Sequence, residues 1–288
     1  MEIYDLNGSI LIKLILIISL LTNNITNDNY IYKETNKYKK LTTNSTNLKI
    51  FIMAHKDFEN LRYNPIYNIV VDDKTQLKKN YNLNIIYANE GKLYNFRKAY
   101  AEMSKLYYIY QIYKDGTISS KYIGLNHYRR YFIFGDNIPY LEDIFKNYDV
   151  ILNKQIKLYT NVKKYYCINH ICKHFDEIIN IIKDIKPDYY STAKRTSKER
   201  RMYNCNLFIM KKEDFFEYCK FMFDILFEFD KRNNFSSDKD VLDYLNKIYN
   251  NIEDSYIQLR LQAFLSERIS NIFFHHHFKK IKSFDIEI

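Results

Sequence analysis

Short apolar runs alternate with longer amphipathic stretches along this chain. That alternation restricts it to a layered α/β domain. The runs that read as strands are 48–54, 84–88, 122–125, 150–152 and 206–210. The stretches with helical spacing are 95–114, a short one around 140–148, 175–185, 212–231 and 257–274. Asp115-Gly116 breaks the first of these, and Pro187 ends the third. No internal repeat is visible.

One run is unlike the others. Residues 122–125 are apolar and read as a buried strand that ends abruptly at His127, Tyr128, Arg129, Arg130 and Tyr131. In open α/β sheets, ligands sit at the carboxyl ends of strands. Two adjacent arginines at such an end point to an anion, and to phosphate above all, because guanidinium forks match its geometry.

The rest of the composition is less specific. Tyr (29), Asn, Ile and Lys are heavily used while Gly (5) and Pro (3) are scarce. This resembles the bias of an AT-rich genome, so single Asn, Lys or Tyr residues carry little weight. The formal charge of +10 fits phosphate-bearing small molecules, acidic membranes or nucleic acid. No long Lys/Arg block and no uniformly basic helix face appear, so no nucleic-acid partner is expected. Four cysteines in so long a chain define no disulfide framework. Cys167, His170, Cys172 and His174 are of zinc-binding type, but their spacing is unlike that of zinc modules and no second cluster completes them. His275, His276 and His277 read as surface, since adjacent residues cannot all face one ion.

The N-terminal part stands apart as residues 1–47. Its run 10–21 is the most apolar of the chain, contains Lys13 and is short against the roughly 20 residues of a spanning helix. Its length suits a signal or signal-anchor core, although Glu2 and Asp5 give the preceding segment the wrong charge. The other reading is a docking helix. The first places the protein at a membrane or in the secretory pathway, the second in the cytoplasm. Residues 22–47 read as a polar linker with glycosylation patterns at Asn24 and Asn44.

Four segments in residues 48–288 carry a family resemblance. They are Ala54-His55-Lys56 and Glu102-Met-Ser-Lys-Leu-Tyr-Tyr-Ile-Tyr110, then Gly124-Leu-Asn-His-Tyr-Arg-Arg-Tyr-Phe132, and last Asn206-Leu-Phe-Ile-Met210 with Gln258-x-Arg260 and Phe264-Leu-x-Glu267-Arg268. In this order they resemble the DUF4422 family, a glycosyltransferase-like domain of bacterial capsular and surface polysaccharide loci. The resemblance covers about residues 48–285. It implies a GT-A-like (Rossmann-like) mixed sheet flanked by helices, and transfer of a sugar from a nucleotide-sugar donor to a glycan or lipid-linked acceptor. Tyr108 and Tyr110 stand where the family pattern has tryptophan, and Ala263 replaces a glycine. The loop 91–98 is basic where relatives are rich in Asn and Asp. That loop is expected to face donor or acceptor, and it motivates the alternative of a non-catalytic glycan- or nucleotide-binding relative.

Many GT-A enzymes keep an Asp-x-Asp pair after a central strand to hold a divalent ion. Here the place is taken by Asn126, His127, Tyr128, Arg129 and Arg130. Arg129 or Arg130 is expected to neutralise the departing diphosphate, with Mn or Mg dependence left open. His127 could instead ligate a metal, and one arginine could pair with Glu102 or Glu267. Glu267 is the candidate base, with Asp176 and Glu177 as others; the opposite reading is a structural pair with Arg268. His55 and Lys56 are expected at the nucleotide, and Glu102, Tyr107, Tyr128, Asn206 and Arg268 around the substrate. In the family this region also carries histidines, so His170 or His174 is expected to face the acceptor.

Overall fold

The structure is a computed structural model that describes residues 47–58, 65–72, 75, 77–78, 81, 83–134, 140–249 and 251–287. The apolar run 10–21, the linker up to residue 46 and both glycosylation patterns lie outside the described residues. Among the described residues, no helix is long and apolar enough to cross a membrane.

Eleven strands and ten α-helices follow one another among the described residues. Seven strands build the main sheet: β1 (Leu48–Met53), β2 (Tyr67–Val71), β3 (Asn84–Tyr87), β4 (Tyr122–His127), β6 (Val150–Asn153), β9 (Phe208–Lys211) and β10 (Ile281–Phe284). Their order is β10-β6-β9-β4-β1-β2-β3. β1 runs parallel to β2 and to β4, while β9 is antiparallel to both β4 and β6. The sheet is therefore mixed. β5 (Tyr131–Phe132) pairs with β11 (Ile286–Glu287), and β7 (Ile156–Lys157) pairs with β8 (Arg201–Met202).

The helices are α1 (Arg97–Tyr100), α2 (Glu102–Lys114), α3 (Leu141–Asn147), α4 (Val162–Asn169), α5 (Cys172–Ile185), α6 (Pro187–Thr196), α7 (Lys212–Asn233), α8 (Asp238–Asn246), α9 (Ile252–Gln258) and α10 (Leu261–His277). On one sheet face, α2, α7 and α10 cover Ile123 and Leu125 of β4 through Met103, Leu106, Phe215, Met222, Leu265 and Ile269. A second apolar cluster on the other face joins Ile50, Ile52 and Tyr122 to Tyr128, Tyr131 and Phe132.

Three expected elements are cut differently by the fold. The stretch 95–114 is interrupted at Ala101, whose φ of 46° and ψ of −121° lie where a residue with a side chain is strained. The stretch 257–274 is two helices separated at Leu259 and Arg260. The strand expected from Asn206 begins only at Phe208, because Cys205 and Asn206 both take left-handed backbone, at φ 68° and 53°. Pro187 ends α5 as expected and also opens α6, where its missing N–H costs nothing.

Gly124 shows how tightly β4 is held. A Cβ there would lie 2.9 Å from Cγ1 of Ile50 on β1 and 3.1 Å from Cγ1 of Ile209 on β9. Both neighbours are branched at Cβ and stiff. Gly124→Ala is therefore expected to destabilise the domain by about 1–3 kcal/mol. Urea denaturation measures this, and an unchanged midpoint would contradict the packing described.

Candidate active site

β1 leads to β2 on one side of the sheet, and β4 lies on its other side. The carboxyl ends of β1 and β4 thus flank a topological switch point, where a crevice opens. Met53 of β1 is in register with His127 of β4. The chain then turns tightly: Arg130 N–H donates to His127 O at 2.9 Å. This turn presents His127, Arg129 and Arg130 to a cleft of about 330 Å³.

The cleft also receives Glu102 from the first turn of α2, and Arg260, Glu267 and Arg268 from the end of α9 and from α10. The break at Ala101 lets α2 start there with Glu102. Arg260 Nη2 lies 3.2 Å from Glu102 Oε2, and Arg268 Nη1 lies 3.1 Å from Glu267 Oε2. Glu267 Oε1 also accepts from the N–H of Cys205 at 3.2 Å. Among the described residues, neither Arg129 nor Arg130 has a carboxylate partner. The guanidinium of Arg129 lies 5.1 Å from the Tyr128 ring centroid. The alternative that one of these arginines pairs with Glu102 or Glu267 is not met, since those glutamates pair with Arg260 and Arg268.

The charges act on their neighbours. Burial, then Arg130 and Arg129, push His127 down to about 3, so its ring is neutral at ordinary pH. Its Nδ1 faces the N–H of Arg129 at 3.4 Å, which leaves the hydrogen on Nε2. Burial, then Lys105 and Arg260, also lower His55. Burial raises the Glu102 carboxyl despite Arg260. Burial, then Glu267, pushes the Cys205 thiol up to about 12, so it is no thiolate nucleophile.

Of the residues expected at the site, His127, Arg129, Arg130, Glu102, Glu267 and Arg268 come together here. His55 and Lys56 are exposed just past β1. Tyr128 is only 2% exposed; its hydroxyl sits 3.4 Å from His55 Nε2, so it supports His55 from below. Asn206 is 3% exposed. Its left-handed backbone turns it under α10, where it donates to Ser266 Oγ at 3.0 Å and accepts from Ser270 Oγ at 2.8 Å. Tyr107 is elsewhere: it packs on Phe223 and Phe227 and borders a second cavity of about 230 Å³. The basic loop expected to face substrate contributes Gly91, Leu93, Tyr94 and Arg97 to that second cavity.

The other base candidates are engaged elsewhere, Asp176 with Lys163 and Glu177 with Asn233. His174 is buried and meets Tyr244 Oη at 2.8 Å, whereas His170 lines the cleft. Cys167 and Cys172 are joined as a disulfide. His275, His276 and His277 are half-buried and turn to three partners, Glu199, Thr192 and Asp214. Arg260 was not singled out from the sequence, although the Gln258-x-Arg260 string contains it.

Mg²⁺ and Mn²⁺ take oxygen-rich ligand sets. The cleft's two glutamates each hold an arginine, and the β4 end offers guanidinium and imidazole instead. Among the described residues this is not the carboxylate-rich set that Mg²⁺ or Mn²⁺ prefers.

The fold has a solved counterpart in WbbM, a bifunctional glycosyltransferase in its apo form. The two are similar with a TM-score of 0.61 at 18% identity, over 83% of this chain and 45% of that one. The present chain therefore spans less than half of WbbM. Fold and cleft define a mixed-sheet α/β domain with flanking helices and an arginine-lined crevice at its switch point. A family model for DUF4422, described as a domain of unknown function, matches residues 49–279, and the chain belongs to that family. No curated protein matches it.

Buried neutral histidines make the domain acid-sensitive. Burial, then Lys173 and His170, push His174 down to about 4, below its ordinary value of about 6.5. The unfolded chain then takes up the proton first, so this stabilisation is present above pH 6.5 and is lost as pH falls towards 4. Melting temperature should drop across that interval, and the drop should be shallower in His174→Gln. Parallel profiles would rule out His174 as a source.

Proposed function

We propose that the cleft binds a nucleotide-sugar donor and moves its sugar onto a hydroxyl of a glycan or lipid-linked acceptor, in surface polysaccharide or glycoconjugate synthesis. The observation that carries this reading is the pair Arg129 and Arg130, which face the cleft with no described carboxylate partner while both glutamates there are already matched. Four guanidinium groups against two carboxylates leave an excess that suits a diphosphate.

In the proposed reaction the bond from the anomeric carbon to the diphosphate oxygen breaks, and the acceptor oxygen bonds to that carbon. The diphosphate departs with the electron pair. Arg129 and Arg130 offset its charge, and His127 Nε2–H donates a hydrogen bond to it. The hydroxyl proton goes to Glu267. Its side chain is 25% exposed against 14% for Glu102, and a carboxylate has lone pairs beyond the two it commits to Cys205 and Arg268. His55 and Lys56 lie on the nucleotide side of the donor. The mismatch of the donor set with Mg²⁺ or Mn²⁺ favours turnover without added metal. The Cys167–Cys172 disulfide favours an oxidising compartment, in line with reading residues 10–21 as a signal or signal-anchor.

Nucleotide release from UDP-, GDP- and CMP-sugars, with and without Mn²⁺, tests the reading. One donor should be cleaved with or without the ion. Arg129→Ala and Arg130→Ala should each lower turnover by about 10²–10³ with an unchanged melting temperature. Full turnover in both variants would sink the arginine role. A donor that raises the melting temperature yet is never cleaved makes the protein a binder.

A further inference from the structure

The cleft has two chemically distinct walls. The β4 wall offers hydrogen-bond donors only, since a guanidinium has no acceptor. Another part of the lining is the turn between α4 and α5, which brings Asn169 and His170 to the cleft. The hydrogen bonds of this turn determine what it presents. Gln258 Nε2 donates to the carbonyl of Asn169 at 3.0 Å, so its other atom, Oε1, is an acceptor. Oε1 lies 2.9 Å from His170 Nδ1, and Nδ1 must therefore carry the hydrogen. His170 Nε2 is left with a bare lone pair, and no described group takes it up. Asn169 repeats the logic. Its Nδ2 donates to Tyr165 O at 2.8 Å, which leaves Oδ1 as an acceptor.

The turn is also held still. The His170 ring stacks on Phe264 with centroids 4.1 Å apart and lies 4.8 Å from Tyr166. The disulfide between Cys167 and Cys172 brackets residues 168–171. An acceptor atom on a fixed turn suits hydroxyl hydrogens, just as a fixed donor wall suits phosphate.

We propose that this turn is the sugar-hydroxyl subsite of the cleft, with His170 Nε2 accepting a hydrogen bond from a hydroxyl of the acceptor glycan and Gln258 holding the tautomer that makes this available. The inference rests on the transferase reading and names the surface that selects the acceptor. His170 suits the role because its neutral form persists to about pH 4, through burial above all. The disulfide makes the subsite sensitive to reduction.

Two measurements decide it on the full chain. In protein with ¹⁵N-labelled histidine, the His170 resonances (assigned by their loss in His170→Ala) should show Nδ1 protonated and Nε2 bare at pH 6. Titration with octyl β-D-glucoside and octyl β-D-galactoside should then shift Nε2. In transfer assays with the donor cleaved by the wild type, His170→Ala should raise KM for the responding glycoside about tenfold. The ratio of transfer to water hydrolysis of the same donor should fall in that variant. Reduction with dithiothreitol should raise KM in the same direction in the wild type. An Nε2 that is protonated, or unmoved by both glycosides, overturns the subsite, as does an unchanged KM. A wild type that cleaves no donor overturns the transferase reading instead, and the titration then decides the subsite by itself.

Discussion

Charged groups gathered at one partly closed place must be matched or solvated, and the end of β4 collects four arginines and two glutamates. The two glutamates come from α2 and α10, and each is satisfied by an arginine that follows α9 or belongs to α10 itself. The Glu102–Arg260 pair ties α2 to the segment before α10, and Glu267 ties α10 to the backbone at Cys205. The two pairs also leave Arg129 and Arg130 as the surplus. The rest of the region serves this arrangement. Gly124 lets β4 lie close between β1 and β9, so that the turn after His127 is held in place. The strained backbone at Ala101 starts α2 where Glu102 can meet Arg260. The left-handed residues Cys205 and Asn206 bring a backbone N–H to Glu267.

Some of this was legible in the residues alone. The run at 122–125 stops at a cluster of polar and cationic side chains, and a strand that stops so must end at an opening. The helical spacing of α2 and α7 was equally plain. What was not legible depends on contacts between distant parts of the chain. Glu102 and Arg260 are 158 residues apart, and nothing local says which arginine each glutamate takes. Asn206 has the right chemistry for a sugar contact, yet its backbone turns it under α10 to two serines. Tyr107 lies on the same helix as Glu102, but its side chain faces α7 and the second cavity. Backbone strain at an alanine leaves no compositional trace, unlike a glycine or proline, so the break in 95–114 was hidden. The strand Tyr67–Val71 was hidden for a different reason. It is five residues long and fully buried, without the alternation that marks a half-buried strand.

The charge surplus also decides the protonation of the groups around it. Arginines do not titrate at ordinary pH, so their field on His127 is permanent. Together with burial it keeps the imidazole neutral. A neutral imidazole next to a diphosphate donates one hydrogen bond and contributes no charge of its own. In the proposed reaction, charge compensation falls to Arg129 and Arg130, and hydrogen bonding to His127 Nε2. His170, in the same cleft lining, is neutral as well, but with the opposite tautomer, because Gln258 accepts from Nδ1 where the N–H of Arg129 points at Nδ1 of His127. Two histidines of the same charge thus offer a hydrogen-bond donor at the end of β4 and an acceptor at the turn between α4 and α5. With both rings neutral, the positive charge among the cleft's lining residues comes from its four arginines. Burial raises the carboxyl of Glu102 despite its pair with Arg260, and any loss of its negative charge would enlarge the arginine surplus further.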